Sequence, residues 1–296
     1  GTVATPTGPQ RVMLTASHCV NRIPGMPEPS TEVTVPVGDS YTRIGTRGPN
    51  SGPTTETHSL ADLPAALTEP DWAFVRIDDS ATATNLSHSR DAAGGSAGAP
   101  VQLTGIRDYR TLRPGEYSVD NFGQPICKDG ATTGRSCGRQ IARGRDTVYS
   151  VGVAAEMGDS GGVNFDPRDG AVIGTSHGVI GPLFVSQAAD RALEDAYGIP
   201  DGQVNQAFQI AGTAPRAEFT TSGAERERID RATRELNPGY VPPNPKTELR
   251  RAVNEAGQAA HETARRALRG GVDAGEVQRL VEKHGNDIAL WAGFAR

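Results

Sequence analysis

Two patterns of apolar residues divide the chain. Up to about residue 185, short apolar runs recur: RVMLT (11–15), EVTVPV (32–37), WAFVRI (72–77), VQLTGI (101–106), TVYSVGV (147–153) and AVIGTS (171–176). Turn-rich segments such as RGPNSGPTTETHS separate them, so the runs predict β-strands, and DPRDG (166–170) predicts a hairpin turn. Strands and turns alternating over this length imply a sandwich or barrels. From Ser186 the period becomes helical. Ala189, Leu193 and Tyr197 share a face, and Gly198 ends that helix.

Beyond it, GAERERIDRATRELNPG (223–239) predicts a charged, solvated helix with i,i+4 pairs, and GYVPPNP a stiff linker. Asn244 can then cap a helix with Pro245 in its first turn, running to Arg269. Its narrow stripe (Leu249, Val253, Ala256, Ala260, Ala264, Ala267) reads as packing surface, ended by Gly270-Gly271. Asp273 and Glu276 form a capping box for a shorter helix ending near His284. Residues 1–200 therefore read as a β domain closed by a helix, 201–245 as a charged helix and Pro-rich linker, and 246–296 as a helical hairpin tail of unknown role.

Composition narrows the function. The net charge of −5 is uneven, with 14 basic and 12 acidic residues from Arg216 onward against 16 and 23 before it. An acidic body without a dense basic block argues against nucleic acid as partner. No apolar run approaches a membrane span. The three cysteines, Cys19, Cys127 and Cys137, fit no zinc spacing.

Among the histidines, His58, His88, His261 and His284 lie in polar or tail segments. His18 follows the buried strand RVMLT in LTASHC, where a tight turn can hold it. Asp71 stands at the mouth of the apolar strand Trp72–Ile77, a costly place for a carboxylate unless a group such as an imidazole N–H bonds it. Ser160 lies in GDSGG (158–162), whose glycines let main-chain N–H groups curl toward a carbonyl; Gly-Asp-Ser clusters are also ordinary turn chemistry. A serine needs a base, and the base an orienting group; His18, Asp71 and Ser160 supply these in the order His, Asp, Ser.

LTASHC, DWAFV and GDSGG in this order resemble the three motifs of chymotrypsin-fold (trypsin-like) serine peptidases. CKDGATTGRSCG (127–138) is most similar to the small disulfide loop of the bacterial streptogrisin and alpha-lytic protease branch. The resemblance covers residues 1 to about 198. It implies an all-β fold of two six-stranded antiparallel β-barrels with a C-terminal helix, followed here by an α-helical tail. It implies a secreted, bacterial serine endopeptidase acting on a peptide or protein substrate, with catalytic His18, Asp71 and Ser160 and no cofactor or metal. Gly158 and Ser160 N–H groups would form the oxyanion hole, and a Lys128–Asp159 pair would be held by a Cys127–Cys137 disulfide. Ser176, His177 and Gly178 of GTSHG would line the substrate strand; His177 could favour an acidic side chain or fill space. Ala154 and Ala155 put no acid at the pocket floor, against a trypsin-like preference for Arg or Lys.

Two departures stand out. The regions VGVAAEMGDS and HGVIGPLFVSQ lack a cysteine pair common in that branch. The resemblance also implies that a partner for Cys19, the first strand of the first barrel and a propeptide lie upstream of Gly1. Two other functions use the same residues: a catalytically silent binding or scaffold protein, and an esterase.

Overall fold

A computed structural model describes residues 1–21, 29–54, 67–180, 182–269, 271 and 273–294; His58, Gly270 and the end of the loop predicted at 47–59 lie outside them. Its strands are β1 (Thr2–Thr5), β2 (Gly8–Thr15), β3 (Glu32–Val37), β4 (Ser40–Asn50), β5 (Ala73–Ile77), β6 (Leu86–Ser87), β7 (Val101–Gln102), β8 (Gly105–Ile106), β9 (Pro125–Gly130), β10 (Gly134–Arg143), β11 (Thr147–Val151), β12 (Val163–Phe165), β13 (Ala171–Ile180), β14 (Leu183–Ala188) and β15 (Phe208–Gln209). Its helices are α1 (Ala189–Tyr197), α2 (Val204–Ala207), α3 (Ser222–Leu236), α4 (Pro245–Ala267) and α5 (Ala274–Phe294). The described residues divide into two compact units, one of those up to 228 and the other of those from 229 onward.

The first unit holds two main sheets. One has six antiparallel strands in the order β15-β1-β2-β5-β4-β3. The other runs β12-β9-β10-β11-β14-β13, and β12 also pairs with β13, which closes it as a six-stranded antiparallel barrel. The short β8 adds to β13 in parallel. The architecture is thus mostly β with C-terminal helices, as the sequence pattern implies.

The sixth strand of the first sheet differs from expectation. β15 comes from beyond α1 and pairs with β1 through Thr2–Gln209 and Val3–Phe208. A two-residue strand carries no periodicity, so Phe208–Gln209 reads in sequence as part of the linker. One buried cluster joins the first sheet to α1, with Val3, Val12, Trp72, Phe74, Ala192 and Leu193 among its members. A second fills the barrel through Ile126, Val148, Ile173 and Phe184. All six residues of AVIGTS are buried, and Val172 enters the first cluster while Ile173 enters the second, because successive side chains of a strand face opposite sides.

The helix ends follow their signals with one exception. α1 stops at Gly198, which has a φ of 66° and donates its N–H to Glu194 O. In the second unit α4 starts where Asn244 accepts from the Lys246 and Thr247 N–H groups, with Pro245 in the first turn. α5 packs against α4. It runs on to Phe294 rather than ending near His284. Gly285, just past the expected end, costs a helix interior only about 1 kcal/mol and does not end it.

Cys127 and Cys137 face each other across β9 and β10 and form a disulfide. It closes a hairpin with a sequence separation of 10. Replacing both with Ala is expected to lower the unfolding free energy by about 3 kcal/mol through loop entropy. Urea denaturation under oxidising conditions checks this; an unchanged midpoint would contradict it.

Candidate active site

Asp71 directly follows Pro70, two residues before β5, and its side chain is wholly buried. Four polar contacts answer that burial. Oδ1 accepts the His18 main-chain N–H at 2.9 Å, and Oδ2 lies 2.8 Å from His18 Nδ1. The Asp71 N–H donates to Gln187 Oε1 at 2.7 Å, tying the site to β14. His177 Nε2 lies 3.7 Å from Asp71 Oδ2. With Asp71 ionised, the short Nδ1 contact puts the proton on His18 Nδ1 and leaves Nε2 free to accept one.

His18 occupies a short 3-10 turn, Ser17–Cys19, at the end of β2. Ser17 fixes that turn by donating its hydroxyl to Gly52 O at 2.6 Å. Burial alone would lower the His18 pKa, but the hydrogen bond to Asp71, the neighbouring Cys19 and the Asp71 charge together raise it above the ordinary imidazole value. Burial likewise opposes ionisation of Asp71, and its hydrogen bonds to His18 and the charges of His177 and His18 outweigh that. Its carboxyl therefore titrates below the usual range. Cys19 itself is exposed and unpaired among the described residues.

Ser160 lies in the turn between β11 and β12. Gly158 has a φ of 95° and Gly161 a φ of 76°. Both are left-handed conformations that side chains resist, and space is short as well. A Cβ on Gly158 would meet Thr132 Oγ1 at 2.5 Å; one on Gly161 would meet Thr15 Oγ1 at 2.3 Å and Ala16 N at 3.1 Å. The second contact has a spatial meaning. The chain leaving Ser160 runs against Thr15 and Ala16, two residues short of His18, so the serine turn and the histidine turn are neighbours. Ser160 Oγ makes no hydrogen bond among the described residues. The Asp159, Gly161 and Gly162 N–H groups donate to Glu156 O, Ser176 O and Asp159 O, whereas those of Gly158 and Ser160 have no acceptor among the described residues.

Beneath this turn lies an ion pair out of contact with water. Lys128 Nζ is 2.8 Å from Asp159 Oδ2, with the two side chains 0% and 1% exposed. Lys128 also donates to Gly134 O at 3.0 Å and to Thr133 Oγ1. Asp159 collects the Thr132 and Thr133 N–H groups on Oδ1 and the Thr133 hydroxyl and Glu156 N–H on Oδ2. Burial opposes its charge, but the bonds from Lys128, Thr133 and Glu156 prevail and hold it below the usual carboxylate range. Thr132 and Thr133 lie between the two disulfide cysteines, so that loop and the serine turn are fastened to one carboxylate.

GTSHG falls on β13 and the last residue of GTS sits deep in the fold. Ser176 donates its N–H to Gly162 O and accepts from Gly161 N, both at 2.9 Å, while its hydroxyl reaches Asn164 Oδ1 at 3.0 Å. The Ser176 N–H is thereby committed within the fold. A bulge lies between Ser176 and Gly178. It turns the His177 ring inward, 6.4 Å from the His18 ring. Burial lowers the His177 pKa, with Asp71 opposing, His18 reinforcing and Glu69 opposing by charge. Sequence spacing could not reveal this inward turn, because a bulge breaks the alternation from which facing is read. Gln187 was equally hidden: a glutamine in an apolar strand carries no sign of its partner.

No family model matches the chain, and no curated protein matches it. Solved structures do resemble it. One is Thermobifida fusca protease A, at 20% identity, covering 66% of this chain and 85% of that one, with a TM-score of 0.39. Another is Cellulomonas bogoriensis chymotrypsin, at 22% identity over 62% and 82%, TM-score 0.40. A third is a glutamic-acid-specific serine protease described as using a histidine triad in substrate binding, at 22% identity over 67% and 88%, TM-score 0.41. These are chymotrypsin-like serine proteases.

Removing the cation beneath the serine turn tests its weight. Lys128→Met leaves Asp159 buried without its partner and is expected to cost about 3–5 kcal/mol of stability. Adding Asp159→Asn should restore part of it, because the stranded charge is then gone. Urea denaturation of the two variants checks the order.

Proposed function

We propose that the chain is a secreted serine endopeptidase. Ser160 attacks the scissile carbonyl, His18 Nε2 takes its proton and returns it to the leaving amine, and Asp71 holds the imidazole and stabilises its protonated form. An acyl-enzyme forms on Ser160 Oγ as the amine leaves, and water then hydrolyses it by the same route. The Gly158 and Ser160 N–H groups receive the oxyanion, each worth roughly 3–4 kcal/mol in such sites. The carrying observation is the two-point hold of buried Asp71 on His18, at 2.9 and 2.8 Å, beside the Gly161 turn. A polypeptide substrate extends along the β13 edge beyond Ser176, at His177 and Gly178, where the bulge interrupts the ladder. The Cys127–Cys137 disulfide supports an oxidising destination for the protein. Among the described residues no helix is long and apolar enough to cross a membrane.

A fluorophosphonate probe is expected to label the wild type and to spare Ser160→Ala. Cleavage of casein lost in the same variant identifies a peptidase; labelling with ester but no peptide cleavage identifies an esterase. A folded wild type that takes no label would overturn the catalytic reading.

The pH dependence has a definite sign. The base must be neutral, and Asp71 raises the His18 pKa, so kcat/KM should fall with acidification along a limb above the ordinary imidazole value of about 6.5. Asp71→Asn should move that limb down and lower kcat by about four orders of magnitude. A pH–rate profile of the pair provides the comparison.

A further inference from the structure

On the first unit, away from Ser160, three carboxylates converge where α1 ends. Asp108 follows β8, Glu194 lies in the last turn of α1, and Asp201 lies in the turn after it. One carboxylate oxygen from each lies within 4.8 Å of the other two.

Each group is held from one side. Asp108 Oδ2 accepts the Val204 N–H at 3.0 Å. Glu194 Oε2 accepts from Arg191 Nη1 at 2.8 Å and lies 3.0 Å from the Thr111 hydroxyl. Asp201 Oδ1 accepts the Thr111 N–H at 3.0 Å and lies 3.2 Å from the same hydroxyl. Asp108 Oδ1 and Glu194 Oε1 are buried with no hydrogen-bond partner among the described residues, and Glu194 as a whole is only 5% exposed. Two buried carboxylate oxygens without donors are costly, and native proteins rarely leave such groups unanswered.

Asp190 is buried beside the cluster, its oxygens accepting the Tyr109 and Arg191 N–H groups. Arg191 is shared among Glu194, Asp195 and Asp146, and the buried Arg143 lines the same pocket as Asp190 and Glu194.

We infer that Asp108, Glu194 and Asp201 bind a calcium ion. The donors are hard carboxylate oxygens with no nitrogen or sulfur, which favours Ca²⁺ or Mg²⁺ over zinc. Ca–O distances of about 2.4 Å place opposite ligands about 4.8 Å apart, while the smaller Mg²⁺ needs about 4.1 Å and a stricter octahedron. The hydrogen bonds from Val204, Thr111 and Arg191 hold the three carboxylates in orientation, as outer-shell partners do in established metal sites. Bound there, the ion fastens the end of α1 to the segment after β8 and to the turn leading into α2. Its role is structural, and it stands apart from the proposed chemistry at Ser160.

The test is thermal unfolding of the full chain in 1 mM EDTA and in 10 mM CaCl2. Wild type is expected to gain about 5 °C in calcium. Asp201→Asn, at an exposed position, and Asp108→Asn should lose most of that gain. In EDTA, Asp201→Asn should unfold at or above the wild-type temperature, because the variant relieves repulsion. A merely structural aspartate would instead lower the Tm in both buffers. The inference fails if calcium leaves the wild type unmoved, if both variants keep the full shift, or if MgCl2 gives an equal or larger one.

Discussion

A lysine and an aspartate, both removed from water, hold the serine turn in shape. Asp159 is the residue before Ser160, so the position of the hydroxyl follows from where that carboxylate is anchored. Five donors converge on it from Lys128 and from the turns at 132–133 and 156. Burying such a charge is unfavourable unless nearly every lone pair is answered. Once all are answered, however, the arrangement admits little alternative geometry. The closed barrel supplies the rigid wall for it, since β9 carries Lys128 and the disulfide pins β9 to β10.

The second charged centre is built by different means. Asp71 comes from the mouth of β5 and His18 from the end of β2, adjacent strands of the first sheet, whose pairing of Thr15 with Ala73 brings the two ends together. The barrel contributes from the other side through Gln187 and His177. Two imidazoles therefore face one carboxylate, and they are unequal. His18 holds its contact at 2.8 Å and its proton affinity rises; His177 stands at 3.7 Å, more deeply buried, and its affinity falls. The short bond to the carboxylate prevails at His18, and burial prevails at His177.

Much of this was legible in the sequence because the signals are local. Apolar runs between turn residues marked β2, β5, β11 and β13, and Gly198 and Asn244 marked helix ends. The three motifs were readable because each needs specific residues at fixed spacing. What escaped was long-range or irregular. β15 is too short to show a period, and β9 and β10 hide in a polar, glycine-rich loop. The sequence leaves His177 either facing an acidic side chain or filling space, and the bulge that turns its ring toward Asp71 has no sequence signal. The carboxylates of Asp108, Glu194 and Asp201 are far apart in sequence, and no spacing rule links them.

The edge strand β15 has a kinetic consequence. β1 is made some two hundred residues before its outer neighbour, Phe208–Gln209. A nascent chain must therefore carry β1 with one flank open until the barrel and α1 have been synthesised. Pairing over so long a loop is slow, because the entropy of closing it is lost before the contacts return anything. Birth of the first sheet thus waits on the last part of the unit, which makes any chain released early a folding intermediate with an exposed edge open to other chains.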